Sequence, residues 1–252
     1  MLYYFSGTGN SRYAATHLAR RIDDTATDLC AAPQPIPAAD TLGLVCPVYA
    51  WGLPDVVSDF IAALPRTATP PTYVFALLTC GDDIGRTDRI LRRALARQGY
   101  PLHAVFSLQM PNTYIGLPGF DVDSHEVVAR KLAAASARLA HIATAVAARQ
   151  SVTDVVPGSM AWCKSHLLRP LFRQWFSGYQ MLRVSPSRCT HCGTCQRRCP
   201  MGNVSFNDEG LPQFGTRCTF CLSCYHHCPA HAISVRPAGH HKGQQHLDKT
   251  PE

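Results

Sequence analysis

Eight of the twelve cysteines lie between positions 189 and 228, and they spell one pattern twice. Cys189, Cys192, Cys195 and Cys199-Pro200 form the first copy; Cys218, Cys221, Cys224 and Cys228-Pro229 form the second. Both read C-x2-C-x2-C-x3-C-P, a spacing that holds [4Fe–4S] cubanes. The agreement extends past the thiols, since Arg188-Cys189-Thr190 aligns with Arg217-Cys218-Thr219 and Val204-Ser205 with Ile233-Ser234. Three thiolates on one tight loop can grip one face of a cubane, but its fourth corner points away and takes its ligand from the other copy. The expected ligand sets are therefore Cys189, Cys192, Cys195 and Cys228 for one cluster, and Cys218, Cys221, Cys224 and Cys199 for the other. Each proline ends its motif by fixing φ and removing a backbone donor. Zinc is the rival reading, because C-x2-C also opens zinc ribbons, yet zinc asks only for four ligands in separated pairs. Disulfides are disfavoured, because the chain opens on Met1-Leu2-Tyr3-Tyr4 with no secretory signal and is expected in a reducing, cytoplasmic setting.

A second candidate site opens the chain. Residues 2–5 are apolar and strand-like, residues 6–10 are small and polar, and a helix is expected over residues 11–22. That order suits a phosphate. Ser6, Thr8, Asn10 and Ser11 offer hydroxyl and amide donors, Gly7 and Gly9 let the backbone approach closely, and the helix N-terminus adds oriented N–H groups. A Walker A loop is excluded by the missing Gly-Lys-Ser/Thr ending, and a Rossmann fingerprint by Arg12 standing where its last glycine should be. A plain glycine turn between strand and helix is the bland alternative.

These residues need elements to position them. Strand-like runs recur at residues 26–29, 41–46, 72–80 and 102–109, separated by helical stretches at 55–64, 86–98 and 124–149. Alternation of this kind implies a parallel sheet covered on both faces. The last helix shows its buried stripe in Val128, Leu132, Ala135, Leu139, Ile142 and Val146. Ligands of such sheets sit at the carboxyl ends of the strands, beside the first strand. Pro47-Val48-Tyr49-Ala50-Trp51-Gly52 and Thr79-Cys80-Gly81-Asp82 converge there with the first loop, and Met110-Pro111-Asn112-Thr113-Tyr114 follows the fifth strand to the same edge. Between residues 158 and 184 runs an aromatic-rich connector. It is expected to pack the two halves together, with Pro170 interrupting its helix.

A strand, then Ser-Gly-Thr-Gly-Asn-Ser, then a helix resembles the FMN-phosphate loop of flavodoxins, with Ser11 in place of the commoner threonine. The resemblance implies that the loops 47–52 and 79–82 flank the isoalloxazine and that Tyr49 and Trp51 stack on it. It implies a doubly wound, five-stranded α/β domain of strand order 2-1-3-4-5. With the doubled cysteine motif added, residues 1–236 resemble the fused flavodoxin–ferredoxin proteins of anaerobic bacteria and archaea. The organisation expected is an FMN domain over 1–157, the connector over 158–184, a bacterial-type dicluster ferredoxin domain over 185–236, and a tail over 237–252 without fixed structure.

The formal charge of +7 invites a nucleic-acid reading. Two cubanes at about −2 each and a flavin phosphate at up to about −2 would bring the loaded chain near +1, so the basic excess reads as compensation for buried anions. No apolar run approaches the roughly 20 residues of a membrane span. Cys30, Cys46, Cys80 and Cys163 stand outside the motifs and read as small buried hydrophobes. No acid, base or nucleophile constellation stands out. The chemistry expected is electron transfer between two [4Fe–4S] clusters and FMN, either as an oxidoreductase with its own small substrate or as a carrier between protein partners. The redox partner has no signature in the sequence.

Overall fold

The computed structural model describes residues 1–32, 36, 39–66, 69–238 and 242–247. The chain runs β1 (Leu2–Tyr4), α1 (Asn10–Arg21), β2 (Ala26–Asp28), β3 (Thr41–Pro47), α2 (Asp55–Ala62), β4 (Tyr73–Cys80), α3 (Thr87–Arg97), β5 (Ala104–Gln109), α4 (His125–Ala147) and β6 (Thr153–Asp154). The strands form one sheet in the order β2-β1-β3-β4-β5-β6, with every pairing parallel. The direction of winding reverses beside β1, the switch point of flavodoxin-like sheets.

Burial explains the sheet. All eight residues of β4 are buried, as a central strand covered on both faces requires. Side chains alternate between two cores: Tyr3, Leu44 and Leu78 face Val57 and Leu91, whereas Leu2, Val45 and Leu77 face Leu18, Leu139 and Ile142. On α4 the expected stripe is buried at Ala135, Leu139, Ile142 and Val146, and its N-terminus is capped by Ser124, whose hydroxyl accepts from Val127 N–H. The sixth strand was not expected. Thr153 and Asp154 add to the edge beside Val105 and Phe106, where Arg138 on α4 donates to the Asp154 carbonyl at 3.0 Å and pairs with its carboxylate at 2.7 Å.

The connector departs from expectation. It forms α5 (Ala161–Cys163), a π-helical turn (Lys164–Leu168) and α6 (Arg169–Trp175) in continuous right-handed backbone. Pro170 lies where the π-helical turn gives way to α6, and the backbone stays right-handed through it, so it does not break the helix. Met160, Trp162, Leu167, Leu168, Leu171, Trp175 and Phe176 are exposed, while Lys164, Ser165 and Arg169 turn toward the sheet domain. The packed side of this helix carries Lys164, Ser165 and Arg169 with Phe172, and most of its large apolar residues face outward. Among the described residues no helix is long and apolar enough to cross a membrane.

The second half contains β7 (Leu182–Val184), α7 (Thr194–Arg197), β8 (Val204–Phe206), β9 (Pro212–Phe214), α8 (Ser223–His226) and β10 (Ile233–Val235). β7 pairs antiparallel with β10, and β8 with β9. Its small core gathers Leu182, Val204, Phe220, Tyr225, Ile233 and Val235, and takes in Ile115 from the loop after β5. Residues 242–247 are held in place: Leu247 N–H donates to the Thr8 carbonyl at 2.8 Å, and Gln244 donates to the carbonyls of Tyr225 and Cys228. The expectation of a tail without fixed structure does not extend to these six residues.

Candidate cofactor site

The loops expected to meet at the carboxyl end of the sheet do meet there. Ser11 Oγ lies 2.7 Å from Thr79 Oγ1, tying the first loop to the end of β4, and Asn10 Nδ2 donates to the Pro111 carbonyl at 2.8 Å. In the loop after β3, Tyr49 and Gly52 exchange backbone hydrogen bonds of 3.0 and 3.2 Å around Ala50 and Trp51. Both central residues have positive φ, 46° and 55°, the geometry of a type I′ turn made without glycine. Such residues are strained unless their surroundings hold them. The connector does so: Ser165 donates to the Trp51 carbonyl at 2.8 Å, Lys164 Nζ stands 5.6 Å from the Trp51 ring centroid, and Arg169 donates to the Leu53 carbonyl at 2.8 Å. Beyond β4, Lys131 donates to the Gly81 carbonyl and Gln109 to the Asp82 carbonyl. Asp83 is paired with Lys164, and Asp82 is solvent-exposed.

Together the loops enclose a cavity of about 490 Å³, of the size that takes small molecules and cofactors. Ser6, Gly7, Thr8, Asn10 and Ser11 line it, with Pro47, Val48, Tyr49, Ala50 and Trp51, and Thr79, Cys80, Gly81 and Asp82. Gly9 and Gly52 do not. Leu247 covers the face of Gly9, and the Arg169 side chain covers Gly52. The loop after β5, expected at this edge, contributes Asn112 to Tyr114, and the structure adds two walls that the sequence did not reveal: Arg169 and Phe172 of α6, and residues 218–222 of the second cysteine motif.

Four side-chain atoms argue for a ligand. Among the described residues, Asn10 Oδ1, Tyr114 OH, Arg169 Nε and Thr219 Oγ1 are buried with no hydrogen-bond partner, and all four residues line this one cavity. Buried polar groups are rarely left unpaired, and their convergence fits a polar, elongated molecule bound among them. Burial also pushes the Tyr49 phenol well above its usual range, so it is present as the neutral O–H.

The cysteines assemble across the repeat. Cys189, Cys192, Cys195 and Cys228 surround one small cavity. Besides burial, Cys199 and Cys218 lie near enough to raise the thiols of Cys221 and Cys224, and Cys195 of the other set also raises Cys224. The repeat is also conformational. His191, Gly193 and Gly202 have positive φ, and so do Phe220, Leu222 and His231, their counterparts in the second copy. Left-handed residues spaced this way curl a chain around an anion and turn its N–H groups inward. The crossing cysteines match too: Asn203 N–H donates to Cys199 Sγ and Ala232 N–H to Cys228 Sγ, each at 3.3 Å. Burial pushes the Cys221 thiol up to about 12 and Cys224 well above its usual range, so both need a bound cation to persist as thiolates. Among the described residues no three His, Cys, Asp or Glu side chains gather closely enough for a single metal ion. A cubane, by contrast, holds its thiolates apart at four corners.

The two sites share a wall. A Cβ on Gly7 would lie 2.6 Å from Cys221 Cβ and 3.0 Å from the Tyr49 hydroxyl, so the first loop touches the second cysteine motif directly. Cys192, in the other set, is exposed, and the hydroxyl of Thr194 holds its thiol below the usual range. Of the remaining cysteines, Cys46 and Cys80 are buried as expected. Cys30 is exposed and Cys163 half-buried, so the buried-hydrophobe reading does not apply to them.

Residues 181–229 match the family model of the 4Fe-4S dicluster domain. No curated protein matches the chain. Among solved structures, a flavoprotein from Bacteroides uniformis is similar at 17% identity and a TM-score of 0.36, covering 53% of this chain and 96% of its own. A flavodoxin of Streptococcus pneumoniae TIGR4 is similar at 17% identity and a TM-score of 0.34, covering 56% and 97%. An FMN-dependent NADH-azoreductase from Bacillus anthracis is similar at 10% identity and a TM-score of 0.36, covering 58% and 98%. At such scores the likeness is one of outline; strand order and direction define the flavodoxin-like fold here. The chain thus joins a flavodoxin-like α/β domain to a segment that matches the 4Fe-4S dicluster family.

Proposed function

We propose that the cavity binds FMN, that the eight motif cysteines hold two [4Fe–4S] clusters in the crossed sets, and that electrons pass between clusters and flavin within one chain. Bound FMN exchanges one or two electrons whereas each cluster moves one, so together they join one-electron carriers to a two-electron step. Ser6, Thr8, Asn10, Ser11 and the N-terminus of α1 would hold the phosphate, with no basic side chain among the loop residues that face the cavity. Tyr114 OH, Arg169 Nε and Thr219 Oγ1 would meet polar groups elsewhere on the flavin. Tyr49 and Trp51 would lie beside its ring. Residues 218–222 line the cavity and would set the second cysteine group against the flavin site.

The observation that carries this reading is the placement of four unpaired polar groups around one cavity walled by a cysteine motif. The order that follows is the Cys189 set, with Cys192 at the surface, then the Cys218 set, which touches the first loop, then flavin. The exposure of Cys192 favours entry of electrons from a protein partner at the outer set. Anaerobic purification with iron, sulfide and flavin analysis tests the assignment: about eight iron and one FMN per chain are expected, both chromophores bleaching with dithionite. Zinc in place of iron, or iron without flavin, would refute it. Turnover of a small acceptor such as a quinone by the purified protein would distinguish an oxidoreductase from a carrier between proteins.

A further inference from the structure

Two glycines in the first loop ought, by sequence, to serve a phosphate; one of them instead serves another part of this chain. Gly9 has φ 100°, and a Cβ there would run into the backbone of Leu247. Thr8 and Asn10 on either side of it face the cavity, while Gly9 faces away from it. We propose that Lys242–Leu247 is a strap that fixes the loop after β1 against the second cysteine motif and so determines how tightly FMN is retained. The inference rests on the flavin reading of the cavity.

The strap is fastened at both ends. At the loop, Leu247 N–H donates to the Thr8 carbonyl at 2.8 Å and Arg12 Nη2 donates to the Leu247 carbonyl at 2.8 Å, while the Leu247 side chain packs on the core beneath α1. At the cluster domain, Gln244 Nε2 donates to the Tyr225 carbonyl at 2.7 Å and to the Cys228 carbonyl at 2.8 Å, and the Tyr225 hydroxyl donates to the Lys242 carbonyl at 2.7 Å. Gln245 N–H donates to His226 Nδ1 at 3.2 Å, and the opposite ring nitrogen of His226 lies 2.8 Å from the Thr113 carbonyl. The neutral tautomer with its proton on Nε2 satisfies both. Gly243 N–H donates to Asp121 at 2.8 Å.

The strap thus reaches the first loop, the loop after β5 and α8, three of the walls around the flavin cavity or their immediate supports. A glycine-rich loop ordered only by its ligand must lose conformational freedom on binding; one already fastened does not. Residues 242–247 are therefore positioning residues for the flavin, outside the cavity they serve.

The test compares the full chain with a chain ending at Ala238 and with full-length Gln244→Ala, all prepared anaerobically. It reads FMN dissociation by recovered flavin fluorescence, iron per chain, and hydrogen exchange at the amides of residues 6–10. The expectation for the shortened chain is FMN binding weakened about tenfold or more, with faster exchange in that loop and iron unchanged. Gln244→Ala should shift both readouts in the same direction by a smaller factor. Unchanged FMN binding in both variants would overturn the strap alone, as would weakened binding with unaltered loop exchange. Loss of iron in parallel with flavin would assign the segment to the cluster domain and also overturn it. A full chain that binds no FMN would overturn the flavin reading and the strap together.

Discussion

Gly7 shows how a single absent side chain can join the proposed flavin and cluster sites. Its φ is ordinary, so alanine would meet no backbone penalty there; the obstacle is Cys221 Cβ at 2.6 Å and the Tyr49 hydroxyl at 3.0 Å. Gly7→Ala should therefore force the cysteine motif away from the first loop, at a cost of about 1–3 kcal/mol. The expected outcome is a lower unfolding midpoint with diminished flavin content, measured on the loaded protein. The crossing of ligands is a second claim at this scale. Cys199→Ser should remove the inner cluster and Cys228→Ser the outer one, each lowering iron per chain by about half. In the uncrossed arrangement the two effects would exchange places, which spectra of the remaining cluster beside the flavin would reveal.

Among the elements, the connector carries the least intuitive result. Its sequence announces an amphipathic helix, and pattern alone assigns the apolar side to the interior. The structure packs the other side, because the strained Ala50-Trp51 turn and the Leu53 carbonyl require donors, and Ser165 and Arg169 supply them. Arg169→Ala should leave the Leu53 carbonyl unpaired and open one wall of the cavity. We expect a loss of about 1–3 kcal/mol in stability, measured by denaturant titration, together with weaker flavin binding. Elements with a strong repeating pattern were legible: the wholly apolar β4, the stripe on α4, and the loops 47–52 and 79–82 that the sheet topology carries to one edge. β6 was not, since Thr153 and Asp154 are polar and too few to show a period. The wall formed by residues 218–222 was not legible either. It depends on how the cluster domain sits on the sheet, which no local pattern encodes, and the same holds for the orphaned atoms of Tyr114, Arg169 and Thr219. Gly9 and Gly52 were read as loop residues of the flavin site, yet their small size admits Leu247 and Arg169.

At the scale of the whole molecule, residues 218–222 wall the cavity proposed for FMN, so the cysteine domain would be a structural part of the flavin site as well as its electron source. Ile115 from the sheet domain is buried in the small core, and Thr219 and Phe220 belong to the cavity. Iron should therefore stabilise flavin binding without touching it. Removing iron anaerobically with a chelator should free Cys218 to Leu222 from their cluster and release FMN in parallel, with flavin fluorescence rising as the iron absorbance falls. Retention of full flavin affinity by an iron-free chain would show that the wall stands without its metal.

The most direct test of the account is the path of an electron. The loaded protein would receive less than one electron per chain in a rapid-mixing experiment, with iron–sulfur and flavin absorbance followed separately at several protein concentrations. Transfer within one chain predicts that the clusters are reduced first and the flavin follows at a rate independent of concentration, a phase abolished in Cys199→Ser. Flavin reduction whose rate rises in proportion to protein concentration would contradict it, because the electrons would then be crossing between molecules.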